Sequence, residues 1–155
     1  MVRPHLVYGN TIWGPFYEGD KKSVESVQRR ATKMIDGLRD KPYAECLSIL
    51  ELPSLYYRRR RGDMIWVFKI MNGLVRMDAS KLFVRAKNPN PRGHSQKIFK
   101  QHALKSPRSN FFSQRCINDW NKLPNYVVEA PTLDTFKSRM DKYWKNLHYE
   151  HDGTT

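Results

Sequence analysis

The chain has few cysteines and no long apolar run. Cys46 and Cys116 are its two cysteines, and neither belongs to a CxxC motif or neighbours a histidine pair. The sequence therefore indicates no disulfide framework and no zinc motif, and we expect both thiols to be reduced core residues. No run of about 18 apolar residues occurs, which excludes a membrane span, and the charged N-terminus lacks the apolar core of a secretory signal. We expect a protein of the nucleus or cytoplasm that is not secreted.

Catalytic patterns are missing as well. Two-metal phosphoryl transfer needs converging carboxylates that hold ions about 4 Å apart. The chain has no adjacent aspartates, and its isolated acids suit helix caps and helical ion pairs. The motifs GxGxxG, GxxxxGK[ST] and GxSxG do not occur, and His94 and His102 lack the spacing of metal ligands. The sequence thus predicts no catalytic centre, no metal site and no cofactor.

Positive charge is in excess. The chain carries 28 Lys and Arg residues against 15 Asp and Glu residues, which is a formal net charge of +13. This excess is far larger than solubility requires of a small domain, so we expect a polyanionic partner. An apolar content of 39% supplies one modest core and argues against general disorder.

Helical periodicity dominates the first half of the chain. A helix is predicted from the N-cap Asp20 to the stop signal Gly37. Its apolar residues fall within one arc that should face the core: Val24, Val27, Ala31, Met34 and Ile35. A shorter helix is predicted from Pro42 to Leu50, with one apolar side: Tyr43, Cys46, Leu47 and Leu50. Ser54 caps a third helix whose apolar stripe is Tyr57, Met64, Phe68 and Met71.

The second half mixes strand and helix signals. Two short segments, Lys81 to Val84 and Gln96 to Lys100, predict a small hairpin around a turn-rich loop. A helix near Asn110 ends before Pro124 and has the apolar face Phe112, Cys116, Ile117, Trp120 and Leu123. Thr132 caps a last helix with the face Leu133, Phe136, Met140, Tyr143, Trp144 and Leu147. We therefore predict a mainly α fold with a possible small β-hairpin.

Basic side chains cluster in three patches. The first lies on the opposite arc of the first helix and comprises Lys22, Arg29, Arg30 and Lys33. The second opens the third helix and comprises Arg58, Arg59, Arg60 and Arg61. The third follows the loop region and comprises Arg92, Lys97, Lys100, Lys105 and Arg108. Any one patch could be a solvated face, but together they favour nucleic-acid binding.

Two alternatives remain open at these patches. Asp63 lies four positions after Arg59 and three after Arg60, so it is a local ion-pair partner for one of them. The others lack such a partner nearby, and phosphate suits the planar guanidinium group. Among aromatic residues, His94, Phe99 and Phe111 could stack on unpaired bases, whereas a small-core position is the simpler interpretation of Phe99 and Phe111.

Several strings of the chain resemble a known family. They are VRPHLVYGNTIWGP, VQRRATKMI, LPSLYYRRRRGDMIWVFKIMNG, RGHSQKIF, PRSNFFSQRCINDWNKLP and TFKSRMDKYW. In number, order and spacing they are similar to the C-terminal part of the reverse transcriptase of non-LTR (LINE-class, jockey-like) retrotransposons, over nearly the whole chain. In that family the region follows the palm and forms the thumb and the segment beyond it, whose helices grip template and primer.

The resemblance implies a role without catalysis. The polymerase palm of the family, with its paired aspartates, and its endonuclease lie upstream of the matched region, so the chain looks like a fragment, a truncated copy or a reused piece of an RNA-directed DNA polymerase. By resemblance, Arg29, Arg30 and Arg58 to Arg61 are candidate contacts to an RNA template or an RNA/DNA primer-template. A thumb-like helical segment is expected over residues 1–76, a hairpin and basic loop over 77–109, a C-terminal helical segment over 110–148 and a frayed tail over 149–155, together in one compact unit.

Three functions follow as hypotheses. The leading one is a nucleic-acid-binding module that is not an enzyme on its own. The second is a structural or protein-interaction relic, whose surfaces once packed on a palm domain. The third is an enzyme that works only when a longer parent protein supplies the palm in trans.

Overall fold

The computed structural model describes residues 9, 14, 15, 17–86, 93–101, 108 and 110–150. The chain is mainly helical, and its described residues include a small antiparallel sheet, which confirms the predicted fold class. The helices are α1 (Glu18–Lys33), α2 (Tyr43–Ile49), α3 (Leu55–Met71), α4 (Ala79–Leu82), α5 (Phe112–Arg115), α6 (Ile117–Lys122), α7 (Asn125–Val128) and α8 (Leu133–Tyr143). The strands are β1 (Val84–Arg85) and β2 (Ile98–Phe99), and a 3₁₀ turn covers Lys145–Leu147.

The chain divides into two compact units. The first unit comprises residues 1–61 and 144–155, and the second comprises residues 62–143. Helix α3 supplies its first seven residues to the first unit and the remainder to the second.

The first unit has a small core around the start of helix α3. Leu47 and Leu55 are fully buried, and the ring of Tyr57 packs edge-on against Trp144 and His148, with centroid distances of 6.3 and 4.7 Å. The amide of Ser54 donates to the His148 carbonyl at 3.1 Å, which ties the C-terminal segment to this core. The predicted apolar side of the second helix is confirmed at Tyr43, Cys46 and Leu47, all buried.

Helix α1 contradicts its predicted orientation. It begins at Glu18, so Asp20 lies in its first turn, and it ends at Lys33 before Gly37. The buried residues are Glu25, Gln28 and Thr32, whereas Val27, Met34 and Ile35 of the apolar arc are exposed. The polar side turns inward because its groups find partners there: Gln28 Nε2 donates to the Pro53 carbonyl, and Glu25 binds the start of α3.

The second unit holds the larger set of packed aromatic rings. Phe68 stacks on Phe136 with a centroid distance of 4.3 Å, and Trp120 lies against the same ring at 6.1 Å. The predicted stripe residues Met64, Phe68 and Met71 are buried, as are Cys116, Ile117, Trp120 and Leu123 of the later helical face. Both cysteines are free and buried, as predicted, and burial raises the pKa of the Cys116 thiol.

The hairpin exists but is shorter than predicted. Val84 pairs with Phe99 and Arg85 with Ile98, while Lys81 and Leu82 belong to helix α4. Asp78 caps this helix, since its carboxylate accepts from the Ser80 amide at 2.9 Å. The side chain of Asn121 pairs with both backbone groups of Ile98, at 2.9 and 2.8 Å, which attaches β2 to helix α6.

The C-terminal helices differ in detail from the prediction. The single helix expected after Asn110 is two short helices that meet at Cys116, and helix α7, with Val127 and Val128 buried, was not predicted. Thr132 caps α8 as expected, because its hydroxyl accepts from the Thr135 amide at 3.2 Å. Of the predicted α8 face, Phe136, Met140 and Trp144 are buried and Tyr143 is exposed.

Candidate nucleic-acid interface

The four consecutive arginines are carried by a firmly capped helix start. Ser54 is the N-cap residue, as predicted: its hydroxyl accepts from the Tyr57 amide at 3.1 Å. The carboxylate of Glu25, from helix α1, accepts from the Leu55 amide at 3.1 Å and from the Tyr56 amide at 3.2 Å. A carboxylate at this end also interacts favourably with the helix dipole. Two acceptors thus fix the turn from which the arginines project.

Glu25 has a third partner. The hydroxyl of Tyr43 donates to its Oε1 at 2.6 Å, and Glu25 is only 1% exposed. Burial, and secondly the hydrogen bond to this carboxylate, raises the pKa of Tyr43 above its ordinary value. The Glu25–Arg29 ion pair that the helical spacing favours does not form, and Arg29 lies over the Tyr43 ring at 5.0 Å from its centroid.

Arg58 is the least compensated of the four arginines. Its side chain is half-buried, and its guanidinium has no hydrogen-bond or ion-pair partner among the described residues. Burial, and secondly the like charge of Arg61, lowers the pKa of Arg58. A half-buried cation beside another cation is an unfavourable arrangement that a bound anion would relieve.

Arg60 has a different environment. Its guanidinium lies over the ring of Tyr56, at 5.2 Å from the centroid, and over that of Trp144, at 5.3 Å. Its Nη1 also donates to the Tyr56 hydroxyl at 2.9 Å. Cation–π contacts on two rings hold this side chain in place. A role as phosphate contact stays a prediction for Arg60, but the position of its charge is set by packing within the first unit.

The basic residues of helix α1 lie close to this helix start. Lys22 precedes Glu25 by one turn and Arg29 follows it by one turn, so both lie on the side of α1 that reaches α3. The pKa of Glu18 is lowered mainly by the hydrogen bond to Lys21. The charges of Lys22 on α1 and Arg59 on α3 lower it to a smaller extent, so both helices lie near this carboxylate. The structure therefore brings the first two predicted patches together in the first unit.

The four basic residues of the first patch do not all lie on one side of α1. Lys22, Arg29 and Lys33 lie within about 40° of one another around the helix, and Arg30 is turned away from them. Arg30 is exposed without a side-chain partner among the described residues, whereas Lys33 Nζ donates to the Arg39 carbonyl at 2.8 Å. Lys22 and Arg29 are thus the α1 cations on the same side of the helix as Glu25, which binds the start of α3.

The third predicted patch belongs to the second unit. Arg92 and Lys105 lie outside the described residues. Lys97 is half-buried against Gly93, and Lys100 is exposed. Arg108 is exposed and donates to Gln101 Oε1 at 3.1 Å.

The exposure of the aromatic candidates contradicts the interpretation of Phe99 and Phe111 as core residues. His94 is fully buried, and its Nε2 donates to the Trp120 carbonyl at 2.9 Å, so it cannot stack on a base. Phe99 and Phe111 are 57% and 64% exposed, so they are not the small-core residues expected. Both rings are accessible to a ligand.

Sequence reasoning missed one strong ion pair. Arg115 donates to both carboxylate oxygens of Asp63, from Nε at 2.9 Å and from Nη2 at 3.0 Å, across a separation of 52 positions. Such a fork is the geometry that favours Arg over Lys. The local pairing of Asp63 with Arg59 or Arg60 stays a prediction. No sequence signal could have identified Arg115 as the partner, because the contact depends on the tertiary fold.

Two further searches covered the described part of the chain. Among those residues, no three His, Cys, Asp or Glu side chains come together as a metal-binding group. Within the same ranges, every helix is too short or too polar to cross a lipid bilayer.

Comparison of the chain with protein-family models, curated proteins and solved structures gave no match. The likeness to jockey-like reverse transcriptases therefore stays a prediction from the sequence strings.

Proposed function

We propose that the chain is a non-catalytic nucleic-acid-binding module that grips the phosphate backbone of an RNA template or a primer-template through the first unit. The observation that carries the proposal is Arg58, a half-buried guanidinium without a partner among the described residues and beside the like charge of Arg61. Phosphate is the ligand that such a group suits best. A nuclear or cytoplasmic location fits this role.

The surroundings of Arg58 support a backbone contact more than a base-reading contact. Basic residues of α1 and α3 lie near a capped helix start, where the charges of Lys22 and Arg59 both lower the pKa of Glu18 and form a cationic surface. Such a surface neutralises several phosphates at once but offers no donor and acceptor pattern for one base. We therefore expect binding that is strong at low salt and tolerant of sequence.

Binding is tested by fluorescence anisotropy with a labelled RNA hairpin and a primed RNA/DNA duplex. If roughly six phosphates are neutralised, affinity falls on the order of a thousandfold between 50 and 200 mM salt. Arg58→Gln removes one contact and is expected to flatten the salt slope by about one unit.

The matched control is Lys142→Gln, which removes one exposed positive charge from a helix outside the predicted patches. Because the slope counts neutralised phosphates and not net charge, Lys142→Gln is expected to leave it unchanged. Equal slopes for wild type and Arg58→Gln would reject this arginine as a phosphate contact. Absence of binding at 50 mM salt would reject the proposed function.

A second candidate function is protein interaction, and exposed apolar residues on α1 and directly after it favour it. Val27 on α1 is 39% exposed, and Met34 and Ile35, which follow the end of the helix, are 84% and 44% exposed. The partner that the family resemblance implies is a palm domain. Sedimentation of the chain with a thumb-deleted jockey-like reverse transcriptase would test this candidate: a complex lost on Met34→Lys supports it, and no complex with the wild-type chain rejects it.

A further inference from the structure

A cleft in the second unit combines the chemical groups that a single nucleotide requires. Its volume is about 640 Å³, within the range of roughly 300–1,000 Å³ that is usual for small-ligand sites. Helix α4, strand β1 and the start of α5 border it, together with Gln101 and Arg108. No acidic side chain is among its described lining residues.

One wall is aromatic and apolar. Phe111, which is 64% exposed, lines the cleft, and Leu82 and Val84 contribute aliphatic surface. The backbone of Phe111 is fixed, because its carbonyl accepts from the amides of Gln114 and Arg115 at 2.8 and 3.0 Å. A flat ring held at a helix start and left uncovered is a suitable platform for stacking a base.

A buried side-chain amide borders the same space. Gln114 lines the cleft and is 6% exposed, and its Oε1 has no hydrogen-bond partner among the described residues. A buried acceptor without a partner destabilises the protein, and a donor from a ligand would satisfy it after a small rotation of the amide. Every nucleobase carries such a donor on its Watson–Crick edge.

Cationic groups complete the cleft. Lys81 is exposed on α4, and Arg108 is held by its hydrogen bond to Gln101 Oε1. An apolar ligand would leave these two charges unused, and inorganic phosphate would leave Phe111 uncovered. A ligand with an aromatic ring at one end and a phosphodiester at the other uses all of these groups.

We propose that this cleft binds one unpaired nucleotide of the nucleic acid, with its base on Phe111, its edge on the Gln114 amide and its phosphates near Lys81 and Arg108. This inference rests on the proposed function and adds a preference for unpaired positions to it. The first unit then supplies affinity for the backbone, and the cleft selects substrates that contain a bulged or single-stranded nucleotide.

The experiment compares a fully paired RNA/DNA duplex with the same duplex carrying one bulged nucleotide, replaced by a fluorescent adenine analogue. Wild type is expected to bind the bulged duplex more tightly, and stacking on Phe111 is expected to change the fluorescence of the analogue. Phe111→Ala should abolish both effects, which corresponds to a loss of about 5- to 100-fold in the preference. Tyr126→Ala, which removes an exposed aromatic ring outside the cleft lining, is the matched control and should change neither.

A second variant separates ligand binding from folding. Gln114→Leu removes the buried acceptor without a partner, so the melting temperature should stay equal or rise. The preference for the bulged duplex should nevertheless fall. If Gln114→Leu keeps the full preference, the amide contact is rejected.

The outcomes test the cleft separately from the phosphate contact proposed for Arg58. If the paired and bulged duplexes bind equally, and Arg58→Gln still flattens the salt dependence of binding, the cleft proposal is overturned and the proposed function is kept. If the preference for the bulged duplex depends on Phe111, and Arg58→Gln leaves the salt dependence unchanged, the cleft is kept and the arginine contact is rejected. No binding to either duplex overturns both.

Discussion

Neighbouring arginines of helix α3 differ in what their charges can do. Arg60 is engaged by the rings of Tyr56 and Trp144, whereas Arg58 has no partner among the described residues. Truncating Arg60 therefore removes packing as well as charge. Effects of the two side chains on nucleic-acid binding should be compared only with the stability of each variant measured alongside.

The sequence identified the four arginines as a basic cluster but could not show how their contacts in the folded protein differ. Tyr56 lies four positions before Arg60, which is a readable helical neighbour. Trp144 is remote in the chain, and its contact with Arg60 arises only because the C-terminal segment returns to the start of α3. Which of the four arginines packs on aromatic rings is thus a property of the tertiary fold.

His94 is a buried histidine whose charge state bears on folding. It is fully buried, and because its Nε2 donates to the Trp120 carbonyl, its Nδ1 is an acceptor without a partner among the described residues. Burial is the main cause that lowers its pKa, with a smaller contribution from the charge of Lys97. The Trp120 hydrogen bond and the charge of Glu129 act in the opposite direction.

We predict that His94 makes stability fall at acidic pH. The unfolded state, with an ordinary histidine pKa of about 6.5, binds a proton that the folded state resists. The contribution of His94 is therefore complete above about pH 6.5 and is lost as pH falls below that value, by at most about 1.4 kcal/mol per pH unit. Urea unfolding between pH 5 and 8 measures it, with both limits taken from the titration range of histidine.

The comparison variant is His94→Gln. It should flatten the fall in stability at acidic pH, whatever its effect on the absolute free energy of unfolding. Identical pH slopes for wild type and His94→Gln would mean that the imidazole is protonated in the folded state as readily as in the unfolded state.

At the scale of helices and strands, α1 shows where amphipathic patterns mislead. The periodicity of its apolar residues correctly indicated a helix, but the buried side carries Glu25, Gln28 and Thr32. Burial of polar groups costs little when each group is hydrogen-bonded. Glu25 meets this condition through three donors, two of them amides that begin α3. The pattern could not show that another helix would start at this point.

We predict that Glu25→Gln destabilises the protein by roughly 1.5–3 kcal/mol, the usual range for hydrogen bonds to a charged group. An amide has one acceptor oxygen, so its NH₂ group would face one of the three donors. The loss should appear as a lower urea midpoint. It should also weaken nucleic-acid binding, because the arginine-bearing turn of α3 is less firmly held.

The same substitution at Glu45 provides the control. Glu45 of α2 forms an exposed ion pair with Lys41, which precedes the helix, and such pairs contribute about 0–1 kcal/mol. If Glu25→Gln costs no more than Glu45→Gln, the Glu25 carboxylate does not stabilise the start of α3.

Elements with local signals were predicted best. Ser54 and Thr132 were identified as caps from their own residue type, and the α3 stripe followed from spacing alone. Asp78, which caps α4, has the residue type of an N-cap as well, but the strand predicted from Lys81 conflicts with this helix. The break at Cys116 and the short helix α7 lack a local signal of that strength, since their residues are mainly set by packing around Trp120 and Val127.

At the scale of the whole molecule, the net charge could be predicted from the sequence, but the positions of the charged side chains in space could not. The net charge of +13 follows directly from composition. The cleft does not, because Lys81, Gln101 and Gln114 come from separate segments that only the fold brings to one space. Sequence reasoning therefore indicated a polyanionic partner, and the fold determines which charged, polar and aromatic side chains border the same space.

The charge excess leads to a prediction for the complete chain. Self-repulsion destabilises a compact cation, and salt screens it, so the melting temperature should rise by a few degrees between about 50 and about 500 mM NaCl. Differential scanning fluorimetry measures the rise. A variant with Gln at the exposed residues Lys22, Lys100, Lys142 and Lys145 separates screening from general salting-out. It should melt higher than wild type at low salt and gain less from added salt. A melting temperature that falls with salt would show instead that attractive ion pairs outweigh the repulsion among the surplus cations.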